Sequence, residues 1–428
     1  MAHYAFLVPA RAGHCLSVVG LACELVNRGH RITVISGPEI APLLHEFKLP
    51  LCEFTERVTL TLWERFSCPI FRCIGARFAA GPRASLRAKS EDLLQRMPQI
   101  LEDLNVDGVV ADQIIPAAGT VAERFDLPFV TFCSALPWNM DASVPPMFTE
   151  WRHKSGVPAR LRNRAGHAGW GWCLRPSLQA INRYRRKWDL RPFSRIDDVY
   201  SPLAQISQLF PEFDFPRAAA PPCFHRVGSL GAGRPCNTAG FPWERLDGRP
   251  LIFASLGTIP HRGNRAVYAR VAAACAGLDA QLVLARGKWA DQNDGSENSH
   301  DYPGDPLVVD FAPQPALLER AALLITHAGL NTALEGLSRG VPMVALPRAT
   351  DQPGVAARIV YSGVGLSASF RKCAAPELRR MVERVLREES FRRRARELQT
   401  AMQAAGGVPR AAEIVEQALT TRRPVLRP

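Results

Sequence analysis

The sequence lacks the closely spaced cysteines and histidines that hold a structural metal or build a disulfide framework. Its eleven cysteines are an odd number, lie scattered along 428 residues and include no Cys-x-x-Cys pair. Zinc modules and disulfide-rich secreted domains depend on such spacing. The cysteines therefore favour reduced thiols in a cytoplasmic protein.

Long apolar runs are also missing. No stretch reaches the roughly 18 uninterrupted apolar residues that a membrane-spanning helix needs. The N-terminus has no basic start of a signal peptide, and Arg11 and His14 interrupt its apolar stretch. We therefore expect neither a membrane span nor a signal peptide.

Negative charge is scarce, because 40 Asp and Glu stand against 53 Lys and Arg, which gives a net charge of +13. This excess suggests an anionic partner, which could be a nucleotide, a nucleic acid or a lipid headgroup. No nucleic-acid-binding motif accompanies the charge, so we expect no nucleic acid as partner. No G-x-G-x-x-G follows a predicted strand, which gives a dinucleotide oxidoreductase little support.

Strands and helices alternate in two stretches of the chain. Tyr4–Val8, Cys15–Asn27 and Ile32–Ile35 predict one strand–helix–strand unit, and residues 108–132 predict another. The same alternation returns after Leu251. We predict an α/β protein with two parallel sheets and a ligand cleft between them.

The domain boundaries follow from composition, because a segment dense in Pro and Gly separates the two stretches. The predicted parts are an N-terminal domain over residues 1–215, a linker over 216–248, a C-terminal domain over 249–408 and a last helix over 409–428. That last helix could pack back on the N-terminal domain.

One short loop and helix, "ITHAGLNTALEG", concentrates polar chemistry after a predicted strand. Free backbone N–H groups and the helix dipole at such a junction suit a phosphate. His327, Asn331 and Thr332 can donate hydrogen bonds to phosphate oxygens, and Gly329 allows close approach of the backbone. The loop therefore predicts a phosphate site.

Two acidic positions follow in the same region. Glu335 could accept two vicinal hydroxyls, as on a ribose, and Asp351 with Gln352 could do the same for a second sugar. Each residue also has a structural interpretation. Asn331 or Thr332 could cap a helix, Glu335 could be solvated, and Asp351 could form a turn.

Taken jointly, these residues resemble the donor-binding signature of glycosyltransferase family 1, nucleotide-sugar-dependent enzymes of GT-B fold. The matching strings are Phe311–Leu318, Thr326–Gly336, Gly340–Pro347, Asp351–Gln352 and, upstream, the "SLGT" of Ser255–Thr258. The resemblance runs through nearly the whole chain and is tightest from about Leu251 to Gly365. It implies the GT-B fold, two Rossmann-like parallel-sheet domains facing across a cleft.

The resemblance implies a set of donor-binding residues. They are Ser255, Gly257, Thr258, Phe311, Gln314, His327, Gly329, Asn331, Thr332, Glu335, Asp351 and Gln352. In the family, the His and the Asn-Ser/Thr pair hold the diphosphate, the Glu holds the ribose and the acid-Gln pair holds the hexose. Plant members have a Trp that stacks on uracil where this chain has Phe311, and Gln314 should lie near the nucleoside.

Transfer of a sugar to an alcohol needs a base for the hydroxyl proton, and His suits this because its ordinary pKa is about 6.5. His14, in "ARAGHCLSVVG", stands where the family carries its base. Asp112, in "VVADQIIPAAG", matches the acidic partner that orients the His and stabilises the imidazolium. By spacing alone, Asp112 could instead cap the next helix.

The implied reaction is a single displacement with inversion, in which UDP-glucose is the donor substrate and no other cofactor takes part. The leaving UDP is neutralised by the donor-site groups and the helix dipole. The chain has no Asp-x-Asp motif, which agrees with a reaction that needs no metal.

Residues 152–191 form a basic segment with interleaved aromatic residues. It contains eleven Lys and Arg against a single acid, Asp189, together with Trp170, Trp172, Tyr184 and Trp188. This mixture suits contact with an anionic membrane surface. The alternative is a solvated basic helix beside a buried Trp pair.

The string from Thr326 to Gln352, with "ADQIIPAAGTVAE" upstream, looks most like the bacterial members of the family that glucosylate zeaxanthin. This resemblance implies a lipophilic hydroxylated acceptor and carotenoid glucosides as products. The alternatives are another acceptor such as a sterol, macrolide or flavonoid, a UDP-sugar epimerase of the same fold, and a nucleotide-binding module without catalysis. A pure binder would not require both His14 and Asp112.

Overall fold

The computed structural model describes residues 1–55, 83–231, 238–257, 264–287 and 302–427, with the backbone alone at 83, 84 and 264. The chain divides into two compact units. The first comprises Met1–Thr149, His153–Gly231 and Ala405–Pro428, and the second comprises Glu150–Arg152 and Ala232–Ala404. No helix among the described residues is long and apolar enough to cross a membrane.

Both units are built on parallel sheets. The described strands are β1 (His3–Leu7), β2 (Arg31–Ser36), β3 (Leu51–Glu53), β4 (Gly108–Asp112), β5 (Phe129–Cys133), β6 (Gln205–Ser207), β7 (Phe224–Arg226), β8 (Leu251–Ser255), β9 (Gln281–Ala285), β10 (Leu307–Val309), β11 (Ala321–Thr326), β12 (Met343–Ala345) and β13 (Gly365–Ser367). The first sheet has the order β3-β2-β1-β4-β5-β6-β7, and the second has the order β10-β9-β8-β11-β12-β13. Central strands are buried throughout, which explains their continuous apolar runs.

The described helices lie between these strands and, at the end of the chain, after the last of them. They are α1 (Ala12–Asn27), α2 (Ala41–Glu46), α3 (Arg83–Leu104), α4 (Ala118–Arg124), α5 (Val157–Lys187), α6 (Asn264–Cys275), α7 (Gln314–Leu318), α8 (Leu330–Ser338), α9 (Gln352–Tyr361), α10 (Ala375–Arg387), α11 (Glu389–Ala404) and α12 (Gly407–Thr421). Within the described ranges, short 3₁₀ turns lie at Pro38–Ile40, Ile196–Val199 and Trp243–Arg245.

The C-terminal helix α12 packs against α1 in the first unit. Leu21 and Ile414 belong to one apolar core with the strands of the first sheet. At the rim of this contact, Glu416 accepts hydrogen bonds from Arg28 Nη1 and pairs with His30 Nε2, each at 2.8 Å. The last helix is therefore part of the N-terminal unit in space, although it follows the second unit in sequence.

The predicted linker over 216–248 differs from the structure in its first part. Phe224–Arg226 forms strand β7, which pairs in parallel with β6, and the first unit extends to Gly231. Three residues are too few to show the periodicity of a strand, and these three lie in a segment rich in Pro and Gly. The sequence therefore gives no indication of β7. The pairing of these three residues with Gln205–Ser207 is a long-range contact that local sequence does not encode.

Candidate active site

In the first sheet, the strand order reverses between β1 and β4, and ligands of open α/β sheets bind beyond the carboxyl ends of strands at such a point. The loop after β1 leads into α1, whose first turn carries His14. Strand β4 ends at Asp112. Leu7 pairs with Ala111 in register, so β1 and β4 end side by side. His14 and Asp112 therefore lie at the ends of neighbouring strands.

His14 and Asp112 form a hydrogen-bonded pair. His14 Nδ1 lies 2.9 Å from Asp112 Oδ2, and the Asp112 side chain is fully buried whereas that of His14 is 22% exposed. Asp112 Oδ1 accepts a second bond, from the backbone N–H of Ile114 at 3.1 Å. With Nδ1 donating to the carboxylate, the other ring nitrogen, Nε2, is the proton acceptor. The next helix, α4, has Ala117 as its N-cap residue, so the interpretation of Asp112 as its cap is wrong.

Ser134 joins this pair and is a residue that sequence reasoning missed. It follows β5, and its Oγ lies 2.5 Å from both His14 Nδ1 and Asp112 Oδ2. Nearby, Gln113 holds the loop after β5 by donating to the carbonyl of Leu136 at 2.9 Å. A lone serine after a strand gives no sequence signal, so only strand pairing reveals it.

The second sheet repeats this arrangement between β8 and β11, where its strand order reverses. Thr326 pairs in register with Ser255, so the loop containing Gly257 and the loop containing His327 and Gly329 emerge side by side. Gly257 has a φ of +87°, a left-handed conformation that favours glycine. Thr258, predicted to belong to this loop, lies outside the described residues.

The His327 ring is enclosed by the backbone of two glycines. A Cβ at Gly257 would lie 2.8 Å from the ring, and one at Gly329 would lie 2.5 Å from Nε2. Part of the side chain reaches solvent, but Nδ1 is buried and has no hydrogen-bond partner among the described residues. Burial, followed by the positive charge of Arg348, lowers the pKa of His327 to about 4. The ring is therefore neutral at pH 7.

Helix α8 begins with its first turn next to His327, and its N-cap is Gly329. Asn331 and Thr332 lie inside the helix and are not its cap. Glu335 is buried and accepts a hydrogen bond from the side-chain amide of Gln314. The interpretation of Glu335 as a solvated helix residue is therefore wrong.

The remaining predicted residues lie at the start of α9 and after β10, in the second unit. Asp351 is the N-cap residue of α9 but makes no side-chain capping bond. Gln352 Oε1 accepts bonds from the backbone N–H groups of Arg348 and Ala349, at 2.9 and 3.1 Å. Phe311, which follows β10 closely, is 64% exposed, as a stacking surface for a base must be.

Comparison with known proteins identifies the family. The family model described as "UDP-glucoronosyl and UDP-glucosyl transferase" matches residues 91–403. The chain belongs to this family. It is a glycosyltransferase, and the prediction of family 1 is confirmed. Family membership favours this activity over the epimerase and the non-catalytic nucleotide-binding module.

Relatives resemble this glycosyltransferase over its full length. The zeaxanthin glucosyltransferase of Pantoea ananas is 37% identical over 100% of this chain and 98% of its own. That of Pseudescherichia vulneris is 33% identical over 98% of each chain. The family resemblance proposed from the loop strings therefore extends to the whole sequence.

Solved structures confirm the GT-B fold of the glycosyltransferase. The glycotransferase of kitacinnamycin superposes with a TM-score of 0.75 at 23% identity and covers 97% of this chain and 98% of that one. The calicheamicin glycosyltransferase CalG4 gives 0.74 at 21% identity and covers 99% and 100%. At these identities the comparison concerns the fold alone.

Proposed function

We propose that this glycosyltransferase moves glucose from UDP-glucose to the hydroxyl groups of zeaxanthin, with inversion at the anomeric carbon. The observation that carries the chemistry is the hydrogen bond between His14 and the buried Asp112. The choice of acceptor is supported by two full-length relatives that are zeaxanthin glucosyltransferases. A sterol, macrolide or flavonoid is the alternative acceptor.

The proposed reaction begins with the acceptor hydroxyl. As its oxygen attacks C1 of glucose, the proton passes to His14 Nε2, and the bond between C1 and the β-phosphate oxygen breaks. Asp112 accepts the Nδ1–H bond and stabilises the imidazolium that forms. Ser134, within 2.5 Å of both, holds the ring and the carboxylate in place.

The donor is proposed to lie on the loops of the second sheet. The N–H groups of the first turn of α8, with Asn331 and Thr332, are suited to the diphosphate. Glu335 is suited to the ribose, Asp351 and Gln352 to the glucose, and Phe311 to the uracil ring. His327 would contribute as a neutral hydrogen-bond donor.

The test is a transfer assay with UDP-glucose and detergent-dispersed zeaxanthin in a buffer that contains EDTA. Mass spectrometry should find one or two hexoses added, because zeaxanthin offers two ring hydroxyls. Adducts only after a divalent metal is restored would contradict the metal-free mechanism. UDP release without a zeaxanthin adduct would favour another lipophilic alcohol, and no binding of UDP would refute the proposed donor.

We further propose that the protein acts at the cytoplasmic face of a membrane, where an apolar acceptor resides. Helix α5 supports this because its exposed side carries Val157, Leu161 and Trp172, which are 69%, 58% and 47% exposed. The exposed arginines Arg160, Arg164 and Arg175 lie on the same side by helical spacing. No acid occurs between Arg152 and Trp188, so the surface fits anionic headgroups.

Trp170 and Trp172 differ in exposure, which corrects the interpretation of a buried pair. Trp170 is buried and packs edge-to-face on Trp138 with ring centroids 5.1 Å apart. Trp172 is exposed on the outer side of α5. Only the second can enter a lipid interface, where amphipathic rings are stable.

We expect the double variant L161E/W172E to bind phosphatidylglycerol-containing vesicles about tenfold more weakly in cosedimentation, because it removes apolar burial and adds repulsion. Transfer to detergent-dispersed acceptor should be unchanged. Y361E is a matched control, because Tyr361 is 46% exposed in the second unit. An equal loss of vesicle binding in L161E/W172E and in Y361E would contradict the role of α5. So would wild-type binding to vesicles of phosphatidylcholine alone that equals its binding to phosphatidylglycerol-containing vesicles.

A further inference from the structure

Arg348 lies in the loop after β12 and is not among the donor-binding residues proposed above. This loop adjoins the one that carries His327. Thr326 pairs in register with Ala345, and the N–H of Leu346 donates to the carbonyl of Thr326 at 2.7 Å. The two loops therefore leave the same edge of the sheet on neighbouring strands.

Both the backbone and the guanidinium of Arg348 have contacts that fix the position of the residue. Its backbone N–H donates to Gln352 Oε1 at 2.9 Å, which folds the loop against the start of α9. Its guanidinium carbon lies 6.0 Å from the centre of the Phe370 ring. The side chain is partly buried. Its charge reaches the His327 ring, where it opposes protonation.

The negative charge that develops on the departing UDP in the proposed reaction needs a positive group beside it, which Arg348 can supply. When the bond between C1 and the phosphate oxygen breaks, its electron pair stays on the departing UDP, which gains one negative charge. His327 is neutral in the free protein, and the N-terminus of α8 supplies only about half a positive charge.

We propose that the guanidinium of Arg348 binds the diphosphate of the nucleotide sugar and stabilises the charge on the departing nucleoside diphosphate. This inference rests on the proposed function. A guanidinium stays charged at every relevant pH and matches two phosphate oxygens with paired N–H groups. Because it is already in place before the reaction, it needs no reorganisation as the charge develops.

The test compares the affinities of UDP and uridine by calorimetry or competition in R348Q, R348K and the wild type. We expect R348Q to bind UDP about tenfold more weakly, because a charge-assisted hydrogen bond is lost, and to bind uridine equally well. R348K should retain part of the UDP affinity, since it keeps the charge but loses the paired geometry. The salt dependence of UDP binding should be weaker in R348Q.

The matched control is R320Q. Arg320 also lies near an aromatic ring, with its guanidinium carbon 4.6 Å from the centre of the Trp243 ring, but it precedes β11 and so lies at the opposite edge of the sheet. Its substitution should leave the UDP affinity within about twofold.

Two results would overturn the role of Arg348. One is UDP affinity in R348Q equal to that of the wild type. The other is an equal loss for UDP and uridine, which would indicate a purely structural role. If the wild type binds no UDP, the proposed donor fails and this inference fails with it. If the wild type binds UDP and transfers glucose while R348Q does the same, only this inference fails.

Discussion

Replacing His14 by alanine should lower the rate of glycosyl transfer about a thousandfold while UDP affinity stays within about twofold. General bases typically contribute factors of 10²–10⁴, and alanine leaves no group to accept the hydroxyl proton. The residues proposed to bind the donor belong to the second unit, whereas His14 belongs to the first, so nucleotide binding should be retained. Initial rates at saturating UDP-glucose, with calorimetry of UDP, measure both quantities.

D112N is the informative companion of H14A. Asparagine keeps the shape of the buried Asp112 side chain but can donate to His14 Nδ1, which leaves the proton on Nε2, where it blocks the base. We expect a loss on the order of 10²–10⁴ in kcat, as for the analogous change in hydrolytic triads. A normal rate in either variant would refute the pair as the catalytic base and its partner.

Replacing Gly329 by alanine should weaken UDP binding about a hundredfold. The new Cβ would lie 2.5 Å from His327 Nε2 and 2.9 Å from Cε1, closer than such atoms can approach. The ring must shift from this position, and the backbone of Gly257 limits the shift because it encloses the ring from another direction. The shift moves the groups proposed to hold the diphosphate, and UDP binding must then work against an overpacking cost of up to about 3 kcal/mol to restore them, which corresponds to that factor in affinity.

Two comparisons isolate the cause of this loss. Gly329 has a φ of −64°, which alanine adopts without strain, so the effect should come from the contact with His327. In an H327A background, G329A should then cost little. G231A is the control at a site where a Cβ meets nothing within 4 Å. Additive losses in the double variant would rule out the contact as the cause.

Local structure was predictable where a pattern spans a whole element. The strand–helix–strand unit at the N-terminus forms as β1, α1 and β2, and the apolar run before His327 forms β11. Strand β7 was missed because it has only three residues and its partner is distant in sequence. The same limit applies to Ser134, which no motif marks.

The sequence by itself determined which residues stand in the loops that follow strands, because strand, loop and helix are local and their polar residues are read in order. At or beside those loops stand His14 in the first turn of α1, Asp112 at the end of β4, and His327 and Gly329 after β11. The tertiary structure alone decided which loops meet. His14 and Asp112 are 98 positions apart in the sequence. Ser134 follows β5 and meets His14 in space, and the loop of Arg348 adjoins the loop of His327 because β12 pairs with β11. The physical reason is that strand order and register set these contacts, and both depend on long-range pairing.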